Sequence, residues 1–214
     1  MSTIILSCDV LREELAHAKR LCGLDYEIRW VDSAAHSCTD NLRESIQREL
    51  DLISDSEIDT VILSFGFCGN AVAGLKTGAF RLIIPKSADC IAMLLHPHAK
   101  QTGKYYITPG WLRKGSVWSD YKRCCSKYGE VKADKIFKVM LAGYEHISTI
   151  RTESVELTPD YYVTADEMSR DLKLQHEVVP GRIDFFVKLL AGPWDDEFII
   201  VPEHSTMELG DLIV

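Results

Sequence analysis

The sequence lacks the features by which several classes of protein are identified. No uncharged apolar run approaches the length of a membrane span, and no linker rich in Pro, Gly or Ser divides the 214 residues. Lys and Arg number 24 against 32 Asp and Glu, and the resulting net charge of −8 disfavours binding to a nucleic-acid backbone. No basic and apolar leader opens the chain, so we expect a cytoplasmic protein with neither a membrane nor a nucleic acid as partner.

Several catalytic and cofactor-binding motifs are also missing. The chain has no GxxxxGK[ST] phosphate loop, no GxGxxG after its first predicted strand and no Gly-x-Ser-x-Gly elbow. The D-x-H-x-x-G motif of corrinoid-binding domains is absent as well. The sequence therefore gives no sign of a nucleotide site or of a serine hydrolase, and it predicts that the chain does not itself carry a corrinoid.

Short apolar runs alternate with helical patterns along the chain. The predicted strands are 3–8, 25–31, 59–65, 80–84, 104–108, 136–142, 155–157 and 198–202. The predicted helices are 10–22, 41–53, 70–76, 90–95, 117–128, 164–173 and 181–190, with another beginning near 145. This alternation is typical of the α/β class and predicts a Rossmann-like sandwich of parallel sheets covered on both faces. We expect a single α/β domain over 1–214, which the alternation also allows to be divided near 100 into two similar α/β halves.

Three of the seven cysteines follow predicted buried strands. Cys8 closes the first strand, Cys68 follows the third and Cys90 follows the fourth, while His36 comes after the second. Because the carboxyl ends of parallel strands meet at one edge of a sheet, we expect these four side chains to lie together. Thiolates and imidazoles are the ligands that zinc prefers, so the sequence predicts a metal site at this edge.

The coordination of that metal is left open by the sequence. All four residues would close a zinc site, whereas Cys8, Cys68 and Cys90 alone would leave one open position for a substrate thiol or would hold a [4Fe–4S] cluster. The pair His36 and Cys38, with one distant cysteine, is a rival zinc set. Buried thiols that never meet are a further alternative, because free cysteine often serves as a small core residue.

Other residues are weaker candidates or accessory ones. Cys22 is expected in the core, and the adjacent Cys124 and Cys125 do not face each other on a helix. His96, His98, Glu145 and His146 are only weak candidates for metal binding or acid–base chemistry. The residues expected to orient the ligands, form the turn or wall a pocket are Asp9, Gly66, Phe67, Gly69, Asn70, Asp89, Tyr106 and Trp111. Helix capping is an alternative role for both aspartates.

Several strings resemble blocks of one protein family. The string LSCDVLREEL, residues 6–15, resembles the amino-terminal motif of the domain of unknown function 1638 family, as does the loop that bears His36. The strings FGFCGN at 65–70, KYYITPGW at 104–111 and WDDEF at 194–198 are similar to the family's later blocks. The resemblance implies no assigned activity, but it implies an association with corrinoid-dependent methyl transfer in anaerobic one-carbon metabolism.

The chain departs from the family pattern at one position. Many members of the family place a histidine just before the acidic residue that precedes the third cysteine, and this chain has Ala88 there. Any role of that imidazole is therefore absent here.

The cysteine pattern and the resemblance together predict a cysteine-ligated metal protein, with zinc as the first choice and a [4Fe–4S] cluster as the second. We expect it to activate a thiol or a methyl group in one-carbon or corrinoid-linked methyl transfer, with a corrinoid protein or a methyltransferase as partner. The alternative is a non-catalytic accessory protein that binds or delivers a metal or cofactor. The accessory protein would have a closed coordination sphere and no substrate pocket.

Overall fold

The computed structural model describes residues 2–54 and 57–212, which form two β-sheets flanked by helices. The strands are β1 (Thr3–Cys8), β2 (Glu27–Val31), β3 (Thr60–Ser64), β4 (Arg81–Pro85), β5 (Lys104–Ile107), β6 (His146–Arg151), β7 (Gln175–Pro180) and β8 (Phe198–Val201). The helices are α1 (Arg12–Cys22), α2 (Thr39–Ser54), α3 (Cys90–Leu95), α4 (Pro109–Lys114), α5 (Val117–Tyr128), α6 (Glu130–Met140), α7 (Pro159–Leu172) and α8 (Asp184–Ala191).

The larger sheet has five strands in the order β2-β1-β3-β4-β8. Its first four strands are parallel, and β8 runs antiparallel to β4. Every residue of β3 is buried, and so is every residue of β1 after Thr3. This burial on both faces of the sheet explains why these strands are nearly continuous apolar runs in the sequence.

The smaller sheet has three parallel strands in the order β5-β6-β7. A second apolar cluster, which includes Ile147, Trp118 and Phe137, packs between this sheet and the helices α5, α6 and α7. The chain changes from the larger sheet to the smaller one between β4 and β5, and β8 then returns to the larger sheet. In the described part of the chain, no helix combines the length and the apolarity needed to cross a membrane.

Local sequence signals explain where several helices begin and end. Gly23 ends α1 in the left-handed conformation, with φ of 64°. The side chain of Asp89 accepts a hydrogen bond from the backbone N–H of Ala92 and so caps α3. Thr108 caps α4 in the same way, and Pro109 occupies the first turn of that helix.

The predicted α/β class and Rossmann-like sandwich are confirmed, although β8 makes the larger sheet mixed rather than wholly parallel. Four local predictions are wrong. Residues 136–142 lie mainly in α6, the segment after 145 is strand β6, 155–157 is irregular and 70–76 contains turns. Strand β7 was not predicted, because only half of its positions are shielded from solvent and it is rich in polar residues.

Helix α4 connects the smaller sheet to the end of β1. It begins just after β5, and its Gly110 packs against the carbonyl of Val10, in the short 3-10 helix Asp9–Leu11 that follows β1. A Cβ atom on Gly110 would lie 1.9 Å from the oxygen of Val10. Only glycine fits this close approach between the two segments.

Replacing Gly110 by alanine should therefore destabilise the fold. We expect Gly110→Ala to lower the free energy of unfolding by about 3 kcal/mol, because the added methyl group forces two packed backbones apart. Gly210→Ala is the matched control, since nothing lies within 4 Å of a Cβ atom there, and its effect should stay below about 0.5 kcal/mol. Urea denaturation measures both changes, and equal stability of the two variants would contradict the packing described here.

Candidate functional site

The three predicted cysteines lie at the carboxyl ends of three adjacent strands. Cys8 is the last residue of β1, Cys68 lies in the loop after β3, and Cys90 is the first residue of α3, after β4. These strands are neighbours in the larger sheet, in the order β1-β3-β4. Cys8 and Cys90 are buried and Cys68 is half-buried. The structure thus places the three thiols along one edge of the sheet, as the sequence predicts.

Two loops pack tightly against each other at this edge. The backbone N–H of Phe67 donates to the carbonyl of Ser87 at 2.7 Å, and that of Cys68 donates to the carbonyl of Ala88 at 2.8 Å. A Cβ atom on Gly66 would lie 2.5 Å from Cα of Asp89. Glycine at position 66 is therefore what allows the loop of Cys68 to contact the loop that leads to Cys90.

The turn that carries Cys68 has an unusual backbone. Cys68, Gly69 and Asn70 all adopt positive φ angles, of 45°, 69° and 69°. Two of these three residues carry a side chain, and residues other than glycine seldom adopt this conformation. Strained backbone of this kind concentrates at functional sites, where the surrounding structure holds it in place.

All three thiols are held in their neutral form. Burial raises the pKa of Cys8 and of Cys90 to about 12, and it also raises the pKa of Cys68. After burial, the largest effect on Cys68 is the charge of Cys90, and Cys8 also contributes. The thiols therefore lie close enough to oppose one another's ionisation. A bound cation would reverse this effect, because coordination to a metal deprotonates a thiol.

His36 lies beside the thiols in the 3-10 helix Ser33–Ser37. Its Nδ1 lies 3.2 Å from the carbonyl oxygen of Ser33, and this contact favours a proton on Nδ1 and leaves Nε2 as the free nitrogen. The ring meets Trp111 edge-on, with 5.4 Å between the ring centroids, and stacks on Phe65. Burial lowers the pKa of His36, which favours the neutral form that binds metals.

The two aspartates next to cysteines have different roles. Asp89 caps α3 and forms an ion pair of 2.5 Å with Lys100. Asp9 caps no helix with its side chain, contrary to the expectation from sequence. Its carboxylate accepts from the backbone N–H of Ser33 at 3.0 Å and pairs with Lys114 at 2.7 Å. Asp9 therefore ties the end of β1 to the segment of His36 and to α4.

A cavity of about 370 Å³ opens beside the thiols. Cys68, Cys90 and His36 contribute to its lining, together with the predicted Tyr106 and Trp111. Gly69 and Asp89 also line it, whereas the lining does not include Cys8, Asp9, Gly66, Phe67 or Asn70. Two of the three cysteines therefore contribute to the described lining of the cavity, and Cys8 does not.

The described residues do not form a ready-made metal site. No three His, Cys, Asp or Glu side chains among them are placed so as to hold a metal ion as they stand. Coordination by Cys8, Cys68 and Cys90 would therefore require their side chains to rotate toward a common point. All three belong to loops or element ends, where a cysteine needs only a change of one side-chain torsion to move its sulfur.

None of the remaining candidates contributes to the described lining of the cavity. Cys22 packs against the larger core and its thiol points at the carbonyl of Val187, while Cys124 and Cys125 pack against the second apolar cluster. Cys38 is exposed. Glu145 and His146 follow the strand predicted over 136–142, but that segment lies mainly in α6 and His146 begins β6, so both lie at the amino-terminal end of a strand.

The sequence analysis missed one buried acid near the thiols. Glu14 is only 2% exposed, and its Oε2 has no hydrogen-bond partner among the described residues. Burial raises the pKa of Glu14 to about 7, and its charge also acts on the thiol of Cys90. A signal was present, because Glu14 falls at helical spacing between the buried Leu11 and Ala18 and so lies on the apolar face of α1.

The fold and the site define an α/β protein that carries a group of buried thiols and an aromatic-walled cavity at the carboxyl edge of its larger sheet. Residues 30–190 match the family model described as "Protein of unknown function (DUF1638)", and the chain belongs to this family. The matched span includes His36, Cys68 and Cys90, and it begins after Cys8. Searches of curated proteins and of solved structures found no match.

The buried carboxyl of Glu14 should make stability depend on pH. Because its pKa is raised from 4.5 to about 7, the folded state binds this proton more tightly than the unfolded state does. Stability is then lost as the pH rises from about 4.5 to about 7, by about 3 kcal/mol in all. Glu14→Gln should remove this loss, so that the variant is more stable than the parent at pH 8 and similar to it near the lower end of this range.

Chemical denaturation at the two ends of the range measures the effect. Glu44→Gln is the matched control, since Glu44 is an exposed residue of α2, and it should keep the pH dependence of the parent. A Glu14→Gln variant with the same pH dependence as the parent would show that the carboxyl of Glu14 is not buried in the way described.

Proposed function

We propose that this protein binds a soft metal ion through Cys8, Cys68 and Cys90 and uses it to activate a thiol or a methyl group. The observation that carries the proposal is the position of three thiols at the carboxyl ends of three adjacent strands, where Cys8 and Cys90 both act on the ionisation of Cys68. Thiols with such raised pKa values stay protonated at neutral pH, so their sulfur becomes reactive only where a cation offsets the cost of ionising it.

Zinc is the metal that the donor set favours. Three thiolates leave the fourth position of a tetrahedral zinc ion open, and a catalytic zinc site keeps such an open position. The cavity beside Cys68 and Cys90 would give a substrate access to that position. His36 is the fourth ligand or a proton carrier, because its Nε2 is left free by the contact of Nδ1 with Ser33. A [4Fe–4S] cluster remains the second choice.

The reaction that we propose is the transfer of a methyl group to or from a thiol, in one-carbon or corrinoid-linked metabolism. A metal-bound thiolate is a reactive nucleophile at neutral pH, which is what such a transfer requires. The supporting evidence for this metabolic setting is the family resemblance, and a corrinoid protein or a methyltransferase is the partner that it suggests. The chain would act on that partner rather than carry the corrinoid itself.

An accessory protein that only stores or delivers a metal is the second candidate. It would need no substrate cavity, and its metal would be fully enclosed by protein ligands. The aromatic-walled cavity beside the thiols favours the enzyme over the accessory protein. The presence of Cys68 and Cys90 in the lining of that cavity also favours the enzyme.

Metal content of the anaerobically purified full chain tests the proposal. We expect one equivalent of zinc without colour, and Cys8→Ala, Cys68→Ala and Cys90→Ala should each lose it, because two remaining thiolates hold zinc far more weakly than three. A brown protein with iron and sulfide would instead indicate the cluster. Elemental analysis and the absorbance spectrum measure both outcomes.

The control is the exposed cysteine of the rival set. Cys38→Ala should retain its metal, as should Cys124→Ala, which replaces a half-buried thiol in the second cluster. Circular dichroism of each variant checks that it folds. Metal that is lost on replacing Cys38, or a parent protein that binds neither zinc nor iron, would contradict the site proposed here.

A further inference from the structure

The cavity beside the thiols combines aromatic walls with an absence of free positive charge. Tyr105, Tyr106 and Trp111 contribute to its described lining, which includes no Lys or Arg. We propose that this cavity binds a methylated onium cation, such as a quaternary ammonium group. The inference rests on the proposed function for its chemical meaning. It extends that function by naming the class of methyl donor.

The aromatic residues come from two elements that meet at the cavity. Tyr105 and Tyr106 are adjacent in β5, and Trp111 lies in α4, which begins just beyond the end of that strand. The ring of His36 stands edge-on to that of Trp111 at 5.4 Å. Aromatic faces attract cations within about 6 Å of the ring centre, and cages of such rings recognise quaternary ammonium groups.

The charges at the cavity favour a cation over an anion. Asp89 is the single carboxylate in the described lining, and its partner Lys100, at 2.5 Å, balances it. An anionic substrate would therefore meet no unpaired positive charge in the described lining, whereas a cation would meet aromatic rings and no Lys or Arg side chain.

The groove that continues from the cavity also has aromatic side chains in its lining and no unpaired basic residue among its described lining residues. It has a volume of about 810 Å³ and shares His36, Tyr105 and Trp111 with the cavity. Its two basic residues are both paired with carboxylates: Lys114 with Asp9 at 2.7 Å, and Arg123 with Asp120. Both basic residues of the described lining are thus balanced by a carboxylate, so they give the groove no net positive charge.

An onium donor suits the proposed methyl transfer chemically. The thiolate of a second, thiol substrate would attack one methyl carbon of the ammonium group. The new S–C bond would form as the C–N bond breaks, and the bonding electron pair would leave with the nitrogen. The products are then a thioether and a neutral tertiary amine, and the reaction requires no oxidant or reductant.

Calorimetric titration of the full chain with choline chloride tests the inference. The comparison ligand is the neutral isostere of choline, in which a tert-butyl group replaces the trimethylammonium group. We expect choline to bind at least about tenfold more tightly than this isostere, because only the charged group gains from the aromatic faces. Equal affinities would show that the cavity selects only for shape and apolarity, and an absence of choline binding would also overturn the inference.

Variants at Tyr106 test whether the aromatic ring provides the recognition. Tyr106→Leu should weaken choline binding about tenfold, whereas Tyr106→Phe, which keeps the ring and loses only the hydroxyl that contacts the backbone N–H of Gln101, should bind it nearly as the parent does. Tyr128→Leu removes an exposed aromatic ring of α5, outside the cavity, and should have no effect. Equal binding by the Leu and Phe variants of Tyr106 would contradict the inference.

The titration and the metal analysis can fail independently of each other. The titration is carried out on protein freed of metal with a chelator, so it does not depend on zinc. Choline binding by a chain that takes up no metal would uphold the cation site and overturn the proposed metal chemistry. A zinc-binding chain that does not distinguish choline from its isostere would uphold the metal site and overturn the cation site.

Discussion

The site depends on one constraint, which is the parallel arrangement of β1, β3 and β4 as neighbours in one sheet. Parallel strands deliver the residues that follow them to the same edge, and here those residues are three cysteines far apart in the sequence. The loops at this edge then pack so closely that Gly66 cannot carry a side chain. Sheet topology and loop packing together hold the thiols in a buried environment that opposes their ionisation.

The second sheet supplies the other wall of the cavity. Helix α4 begins where β5 ends and packs on the segment after β1 through Gly110, and this contact places Trp111 beside His36 and Cys90. Asp9 strengthens the junction, because its carboxylate binds both the segment of His36 and Lys114 of α4. The aromatic wall and the thiol edge are thus positioned by the same few backbone contacts.

The fold class and the three thiols could be predicted because they follow from local signals. The strands β1, β3 and β4 are nearly continuous apolar runs, and a cysteine ends or follows each of them. Residues 136–142 were assigned wrongly as a strand because their apolar residues are dense enough to suit either structure. Of the aromatic and β-branched residues in this run, only Phe137 is buried in α6, and Val139 is exposed. The partners of Asp9 depend on packing between distant segments, which no local pattern records, whereas the burial of Glu14 follows from its helical spacing between Leu11 and Ala18.

X-ray absorption at the zinc edge of the zinc-loaded full chain tests the central claim most directly, because it reports the atoms bound to the metal. The account predicts three sulfur neighbours at about 2.3 Å. A first shell made only of nitrogen and oxygen, at about 2.0 Å, would show that Cys8, Cys68 and Cys90 do not share a metal.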